Sequence, residues 1–173
     1  MTRVLARLRV PLGFVCGAVA LWLARPTPTS MAAGLVVASV GEAIRVWAAG
    51  HIEKGREVTR SGPYRYVRHP LYVGSALMGA GFMWAAVSLA VAILVSAYLV
   101  VTLTAAIRSE EATLVGRFGE AYTDYATGRP PRDGSGATVD RPFSWARARA
   151  NREHRAIAGL VVGAALLYFR AQL

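Results

Sequence analysis

Cysteine and charged residues are both scarce in this chain. Among 173 residues there is one cysteine, and 17% of the residues are charged whereas 54% are apolar. A single cysteine excludes an internal disulfide and a cysteine-rich metal site, and Cys16, inside an apolar run, is typical of a small buried side chain. So few charges, together with a positive mean hydropathy, are unusual for a soluble domain and predict an integral membrane protein.

Acidic residues are scarcer than basic ones, with 10 Asp and Glu against 20 Lys and Arg and a net charge of +10. Such a surplus can indicate nucleic-acid binding, but its distribution argues otherwise. Seventeen of the basic residues lie before the first predicted span, in the loop 51–69 or in the segment 108–155. This is the positive-inside pattern, which predicts that all three segments are cytoplasmic. The partners it predicts are anionic membrane lipids, with no nucleic acid.

The apolar runs predict an all-α integral membrane protein with a single domain over residues 1–173 and no separate soluble domain. A helix needs about 20 residues to cross the hydrocarbon core, so the run 71–107 must turn once, near Trp84 to Ser88, and forms a helical hairpin. The predicted bundle thus has four or five transmembrane helices, with a cytoplasmic tail at 108–155. The spans are 10–24, 31–50, 71–84, 88–107 and, as a fifth candidate, 156–169.

The first run follows three arginines, as a signal peptide does. No small-residue cleavage site precedes a soluble domain and further apolar runs follow, so we interpret this run as a retained span. Between it and the next run, Pro28 interrupts the helix and Ser30 is a candidate cap for the second span. Within the second span, Glu42 and Arg45 lie on one helix face. They either neutralise each other inside the bundle or orient a polar ligand.

The most informative segment runs from Gly62 to Gly74, where aromatic rings, prolines and a histidine stand between arginines directly before the hairpin. The stretch Arg108-Ser109-Glu110-Glu111 directly follows the second helix of the same hairpin. The two stretches thus lie at the two open ends of the hairpin, which we call its feet. Because a hairpin returns the chain to the membrane face it left, the two stretches can meet. Ionisable groups at the membrane edge are functional candidates, so we predict a cytoplasmic pocket and active site there.

The remaining tail carries weaker signals. Residues 128–139 have the composition of a linker, and 147–155 indicate a basic surface helix on the membrane. Two aromatic residues, Phe143 and Trp145, precede that helix and are typical of interfacial anchors. Glu153 and His154 are within reach of the pocket in this arrangement, without a predicted role.

Three ordered motifs resemble a known family. They are Ser61 to Gly74 (SGPYRYVRHPLYVG), Glu110-Glu111, and Phe118 to Tyr125 (FGEAYTDY). Over roughly residues 40 to 130 the chain resembles the isoprenylcysteine carboxyl methyltransferase family, and also the bacterial phospholipid methyltransferases of the same membrane superfamily. Each motif is weak alone, but their order and spacing together are specific.

The resemblance implies a cytoplasm-facing pocket for S-adenosylmethionine. By position it implies that the stretch from Arg56 to Thr59 contacts the cofactor partly through its backbone. We also predict that Arg68 and Arg108 serve catalysis. One departure concerns the substrate. Where the family's carboxyl methyltransferases carry an arginine that serves the prenylcysteine, this chain has Ala106, with Arg108 two residues later. The cofactor-binding positions are Val58, Thr59, Tyr64, His69, Pro70, Leu71, Tyr72 and Glu110, and no metal site is implied.

The residues themselves are compatible with methyl transfer, which is an in-line displacement that mainly needs binding, orientation and desolvation. Tyr64 and Tyr72 offer aromatic faces to a sulfonium or adenine, and Glu110 can accept hydrogen bonds. His69 either contacts the cofactor or caps the helix that begins at Pro70. Arg68, like Arg65, either anchors a phosphate headgroup or contacts the substrate carboxylate or the cofactor.

The sequence leaves the acceptor and two other functions open. A lipophilic acceptor that enters from the bilayer is expected, with carboxyl O-methylation of an isoprenylcysteine-like or other lipid carboxylate favoured and phospholipid N-methylation as the alternative. An NADPH-dependent reductase of the steroid 5α-reductase type has a related turn, but Leu71 and Val73-Gly74 stand where that family shows Asn and Glu. The third alternative is a non-catalytic membrane scaffold.

Overall fold

A computed structural model describes residues 2–53, 55–129 and 141–173 of the chain. These ranges contain helices and no strand, so the predicted all-α class is confirmed. The predicted linker 128–139 lies largely outside them. The elements are α1 (Thr2–Leu23), α2 (Pro28–Ala49), a 3₁₀ helix (Gly62–Arg65), α3 (Pro70–Ala86), α4 (Leu89–Phe118), α5 (Glu120–Ala126), α6 (Trp145–Ala150) and α7 (His154–Ala171).

Helices α2, α4 and α7 are long and apolar enough to cross a membrane, which makes the chain an integral membrane protein. Helix α3, with 17 residues, reaches the lower limit of about 17 for a span, and α1 contains the shorter apolar stretch Pro11–Leu23. The helices exceed the predicted spans. In particular, α4 continues past residue 107 to Phe118, because the charged residues that end the apolar run are still good helix formers. The start of the predicted tail is therefore helical.

The start of α2 differs from the expectation for Ser30. The N-cap is Thr27, whose hydroxyl oxygen accepts from the Ser30 backbone N–H at 3.2 Å, while the Ser30 hydroxyl oxygen accepts from the Thr27 N–H at 2.9 Å. Ser30 is thus the third helical residue of a capping box and not the cap itself. The physical reason is Pro28, whose fixed φ suits the first helical position. The cap is therefore Thr27, the residue directly before this proline.

Helices α2 and α3 pack through two pairs of glycines that face each other. A Cβ atom added at Gly81 would lie 2.4 Å from the Gly34 carbonyl oxygen, and one added at Gly74 would lie 2.5 Å from that of Gly41. Neither helix can therefore carry a larger side chain at these points without moving apart. Such small-residue contacts allow close packing of membrane helices, where dispersion and not water exclusion drives association.

The hairpin turn between α3 and α4 defines one end of the bundle. The chain turns at Val87, which has a left-handed φ of 45°, and at Ser88, whose hydroxyl oxygen caps α4. Two other chain segments reach the same end, since the Arg25 N–H donates to the Ala86 carbonyl at 2.8 Å and the Arg170 guanidinium donates to the Trp22 carbonyl at 3.3 Å. The loop between α2 and α3 and the C-terminal end of α4, which we call its inner end, consequently lie at the opposite end of the bundle.

Candidate active site

A polar cleft lies at that opposite end, where the two feet of the hairpin meet. One side is formed by the loop after α2, which we name the wall loop (residues 52–53 and 55–59), and the other by the 3₁₀ helix, the inner end of α4 and α5. Its volume is about 60 Å³. The lining residues are Ile52, Glu53, Gly55, Glu57, Val58, Thr59, Tyr64, Arg68, His69, Glu110, Leu114, Tyr122 and Tyr125.

The structure brings most of the predicted site residues together in this lining: Val58, Thr59, Tyr64, Arg68, His69 and Glu110. Four predicted residues lie outside it. Pro70 is fully buried at the start of α3, and the Leu71 carbonyl accepts from the Arg45 guanidinium at 3.4 Å. The Tyr72 ring lies 5.8 Å from the His69 ring, and Arg108 is exposed on α4. Roles for these four in binding or catalysis stay predictions.

His69 joins the two feet of the hairpin. Its ring atom Nε2 lies 3.0 Å from Oε1 of Glu111, and the Arg68 guanidinium and the Tyr122 hydroxyl each lie 3.5 Å from the same oxygen. Although His69 stands at the N-cap position of α3, its side chain makes no capping hydrogen bond. The alternative of a capping histidine is therefore not what the structure shows.

Glu110 and Glu111 face different surroundings, as neighbours on a helix must, because adjacent side chains point about 100° apart. Glu111 is turned toward His69. Glu110 lines the cleft and makes no hydrogen bond or ion pair within the described ranges. A carboxylate held in this position is available to hydroxyl or ammonium donors of a bound ligand.

Two hydroxyl groups in the cleft are buried and have no hydrogen-bond partner among the described residues. They belong to Tyr64, which is 6% exposed, and to Thr59, which is 7% exposed. Burial raises the pKa of the Tyr64 phenol, and the nearby Glu110 carboxylate raises it further, so this hydroxyl stays neutral. Buried polar groups in native proteins are normally satisfied, and these two are suited to hydrogen-bond a ligand in the cleft.

Several lining residues were not predicted to belong to the site. Tyr122 and Tyr125 were part of a quoted motif without an assigned role. The Tyr125 hydroxyl donates to the Tyr64 carbonyl at 2.8 Å, and burial raises the pKa of Tyr125 to about 12 and also raises that of Tyr122. Glu53 was missed, because nothing in its local sequence separates it from a solvated loop carboxylate, and Glu57 was named only as part of the stretch from Arg56 to Thr59, without a role for its side chain.

Arg45 lies at the centre of a buried charge cluster between α2 and α7. Its guanidinium lies 3.6 Å from the Glu42 carboxylate and donates to both oxygens of Glu153, at 2.6 and 2.9 Å. Glu42 and Arg45 thus face the bundle, and Glu153, which had no predicted role, completes the cluster. None of the three lines the cleft.

The C-terminal segment also differs from its prediction. The expected basic surface helix over 147–155 is divided, because α6 ends at Ala150 and α7 begins at His154. Phe143 packs within the protein, since its ring lies 6.0 Å from the His51 ring and against Gly50, and its role as an anchor stays a prediction. Trp145 is 71% exposed, so it remains a candidate anchor.

The described ranges form an all-helical bundle with membrane-crossing helices and a polar cleft at one end, which defines an integral membrane protein with a candidate site in that cleft. The family described as phospholipid methyltransferase matches residues 12–121. Since this match covers more than half of the chain, the protein belongs to that family of membrane methyltransferases. The match includes both feet of the hairpin and ends before α6.

Two relatives carry names that refer to metal resistance. The chain is 37% identical over 113 residues to the nickel-cobalt-cadmium resistance protein NccN of Alcaligenes xylosoxydans xylosoxydans, covering 63% of this chain and 50% of the relative. It is 33% identical over 108 residues to the cobalt-zinc-cadmium resistance protein CzcN of Cupriavidus metallidurans, covering 60% and 49%. The chain therefore matches about half the length of these relatives. No solved structure matches it.

Proposed function

We propose that this protein is an S-adenosylmethionine-dependent methyltransferase that acts on a lipophilic acceptor. Family membership supports the reaction class. The observation that carries the proposal for the site is the pair of buried hydroxyls on Tyr64 and Thr59, which find no hydrogen-bond partner in the described part of the chain, beside the carboxylate of Glu110 in one cleft. These groups suit a cofactor that offers hydroxyls, an ammonium and ring nitrogens.

S-adenosylmethionine, when bound, supplies a methyl group on a sulfonium. The protein's own residues bind and orient the partners and exclude water. In this proposal the neutral Tyr64 hydroxyl and the Thr59 hydroxyl hydrogen-bond the cofactor, and Glu110 accepts from its hydroxyls or ammonium. The contact between His69 and Glu111 holds the start of α3 against α4, beside the cleft.

The cleft must widen to admit such a cofactor. Its volume is about 60 Å³, whereas pockets for ligands of drug size enclose about 300 Å³ or more. The donor and acceptor groups fit the cofactor, but the walls stand closer together than a whole cofactor requires. One wall must therefore move. We expect it to be the wall loop, because the other wall includes the long helix α4.

The charge of the cleft bears on the acceptor. Carboxyl O-methylation is the reaction that the sequence favours, and a carboxylate acceptor requires a cation beside it. Among the described lining residues the acidic ones are Glu53, Glu57 and Glu110, of which Glu53 and Glu57 are paired with Arg141, while Arg68 is near Glu111. Glu110, which makes no ion pair within the described ranges, favours the second candidate, N-methylation of a phospholipid amine, because a carboxylate can bind the ammonium group and take the proton that it must lose before its nitrogen attacks the methyl group.

Titration calorimetry on the purified protein in detergent tests the cofactor. We expect S-adenosylhomocysteine to bind and NADPH not to bind, and we expect Glu110→Gln to weaken binding. Binding of NADPH instead would support the reductase, and binding of neither would support the scaffold. For the acceptor, native membranes are incubated with methyl-labelled cofactor and the lipids analysed by mass spectrometry. A methyl ester or a methylated amine distinguishes the two candidates.

The names of the relatives suggest a physiological setting for this methylation. We propose that it contributes to growth in the presence of nickel, cobalt, zinc or cadmium. A deletion strain complemented with the parent or with Glu110→Gln tests this at raised metal concentration. Equal growth of both complemented strains would mean that any metal resistance does not depend on Glu110 in the cleft.

A further inference from the structure

The segment from Arg141 to Glu153, which we name the strap, crosses the C-terminal end of α2. It lies outside the residues 12–121 that match the family. The Ser144 N–H and the Arg147 guanidinium both donate to the Gly50 carbonyl, at 3.1 and 2.7 Å. The Asn151 side chain donates to the carbonyls of Ala49 and Ile52, at 2.9 and 3.1 Å. The last carbonyls of a helix lack partners within the helix, so the strap caps α2.

The first residue of the strap reaches the wall loop. The Arg141 guanidinium donates through Nη1 to Oε1 of Glu53 at 2.8 Å and through Nη2 to Oε2 of Glu57 at 2.9 Å. Both carboxylates line the cleft. The planar guanidinium of Arg141 therefore joins the two carboxylates by short contacts, while Nε of Arg147 lies farther, at 3.7 Å, from the same oxygen of Glu53.

The other end of the strap is held differently. Glu153 is bonded at both oxygens to Arg45, and its side chain is 6% exposed. The side chains of Arg141, Glu53 and Glu57 are 28%, 22% and 32% exposed. Breaking a buried pair leaves an uncompensated charge, whereas partly exposed pairs separate at low cost because water solvates both partners. The Glu153 end is thus the firm attachment, and the Arg141 end is the one that can release.

We propose that Arg141 is a positioning residue that latches the wall loop against the cleft. The latch acts through Glu53 and Glu57, without contact between Arg141 and the ligand. Release of these ion pairs frees the wall loop, which widens the cleft for entry, and their return closes the cleft around the ligand. The identity of that ligand as S-adenosylmethionine rests on the proposed function, but the control of the wall loop by Arg141 does not.

Two measurements on the full chain in detergent test the latch. Hydrogen exchange of the amides in the wall loop is compared for the parent, Arg141→Gln and Arg141→Lys, and the dissociation rate of S-adenosylhomocysteine is measured for each. We expect Arg141→Gln to speed both loop exchange and dissociation by about fivefold, as for a salt-bridge network at the upper end of exposed pairs. Arg141→Lys is expected to be intermediate, because an ammonium cannot make the forked contact.

Arg149→Gln is the matched control, since Arg149 is exposed on α6 within the same strap, and it should change neither rate. Unchanged loop exchange in Arg141→Gln would overturn the latch. Faster amide exchange in the wall loop, with an unchanged dissociation rate of S-adenosylhomocysteine, would overturn the proposal that the latch controls the ligand. If the parent binds no S-adenosylhomocysteine, the proposed function fails, and the exchange measurement still decides whether Arg141 holds the wall loop.

Discussion

The Nε2 atom of His69 lies 3.0 Å from Oε1 of Glu111, across a separation of 42 residues in the chain. This contact joins the start of α3 to the inner end of α4, and so joins the two feet of the hairpin on which the cleft is built. The two adjacent carboxylates therefore have different surroundings, because Glu111 contacts His69 while Glu110 faces the cleft.

The first prediction concerns these two carboxylates. Glu110→Gln is expected to weaken cofactor binding by about 1–3 kcal/mol, the effect of losing a charged hydrogen-bond partner, and to leave the melting temperature unchanged. Glu111→Gln should instead lower the melting temperature, because it weakens the link to His69. Titration calorimetry and thermal unfolding of both variants check this. Equal losses of affinity would contradict the assignment of Glu110 to the cleft.

The second prediction concerns His69. Asn at this position can still cap the start of α3 but is too short to reach Glu111, so His69→Asn should fold and insert normally while its cofactor affinity falls. His69→Gln, whose longer amide can donate to Glu111, should retain more affinity. Dissociation constants and melting temperatures are measured for both. An Asn variant that binds as well as the parent would remove His69 from the site.

The third prediction separates two buried tyrosines. Tyr64→Phe removes a hydroxyl that has no partner in the described part of the protein, so it should not lower stability, but it should weaken cofactor binding by about 1 kcal/mol if that hydroxyl bonds the cofactor. Tyr125→Phe is the control, since its hydroxyl donates to the Tyr64 carbonyl. We expect the control to lose thermal stability. Loss of affinity in the control alone would reverse the two roles.

The fourth prediction tests the glycine contacts between α2 and α3. Gly81→Ala places a methyl group against the Gly34 carbonyl and should destabilise the protein by about 1–3 kcal/mol, as overpacking does. Gly159→Ala on α7 has nothing within 4 Å of the added carbon. It should be neutral or stabilising by up to about 1 kcal/mol, because alanine is the better helix former. Thermal unfolding in detergent compares the two, and a silent Gly81→Ala would argue against the close packing.

The fifth prediction concerns orientation. The distribution of basic residues predicts that the wall loop is cytoplasmic, and the turn before α2 lies at the other end of the bundle. In a protein with Cys16→Ala, a cysteine at exposed Arg56 should resist impermeant labelling in intact cells, while one at exposed Thr29 should react. The reverse pattern would invert the topology and move the cleft to the outer face.

Sequence alone determined the helices of this protein and the region of its site. Apolar runs near the length of the hydrocarbon core predict membrane helices, and a run twice that length must turn, so the hairpin and the meeting of its feet followed from chain geometry. The shift of the α2 cap to Thr27 shows the limit of this reasoning at helix ends. There, one proline decided the boundary through its backbone angle.

Tertiary structure alone decided which side chains meet. Helical spacing shows that Glu110 and Glu111 point apart, but the rotation of α4 against α3 determines which of them faces His69. The contacts of Arg141 with Glu53 and Glu57 span 88 and 84 residues, and that of Arg45 with Glu153 spans 108. Hydropathy carries no information on such pairs, because it records how each residue partitions between water and lipid and not which partner it finds when the helices pack.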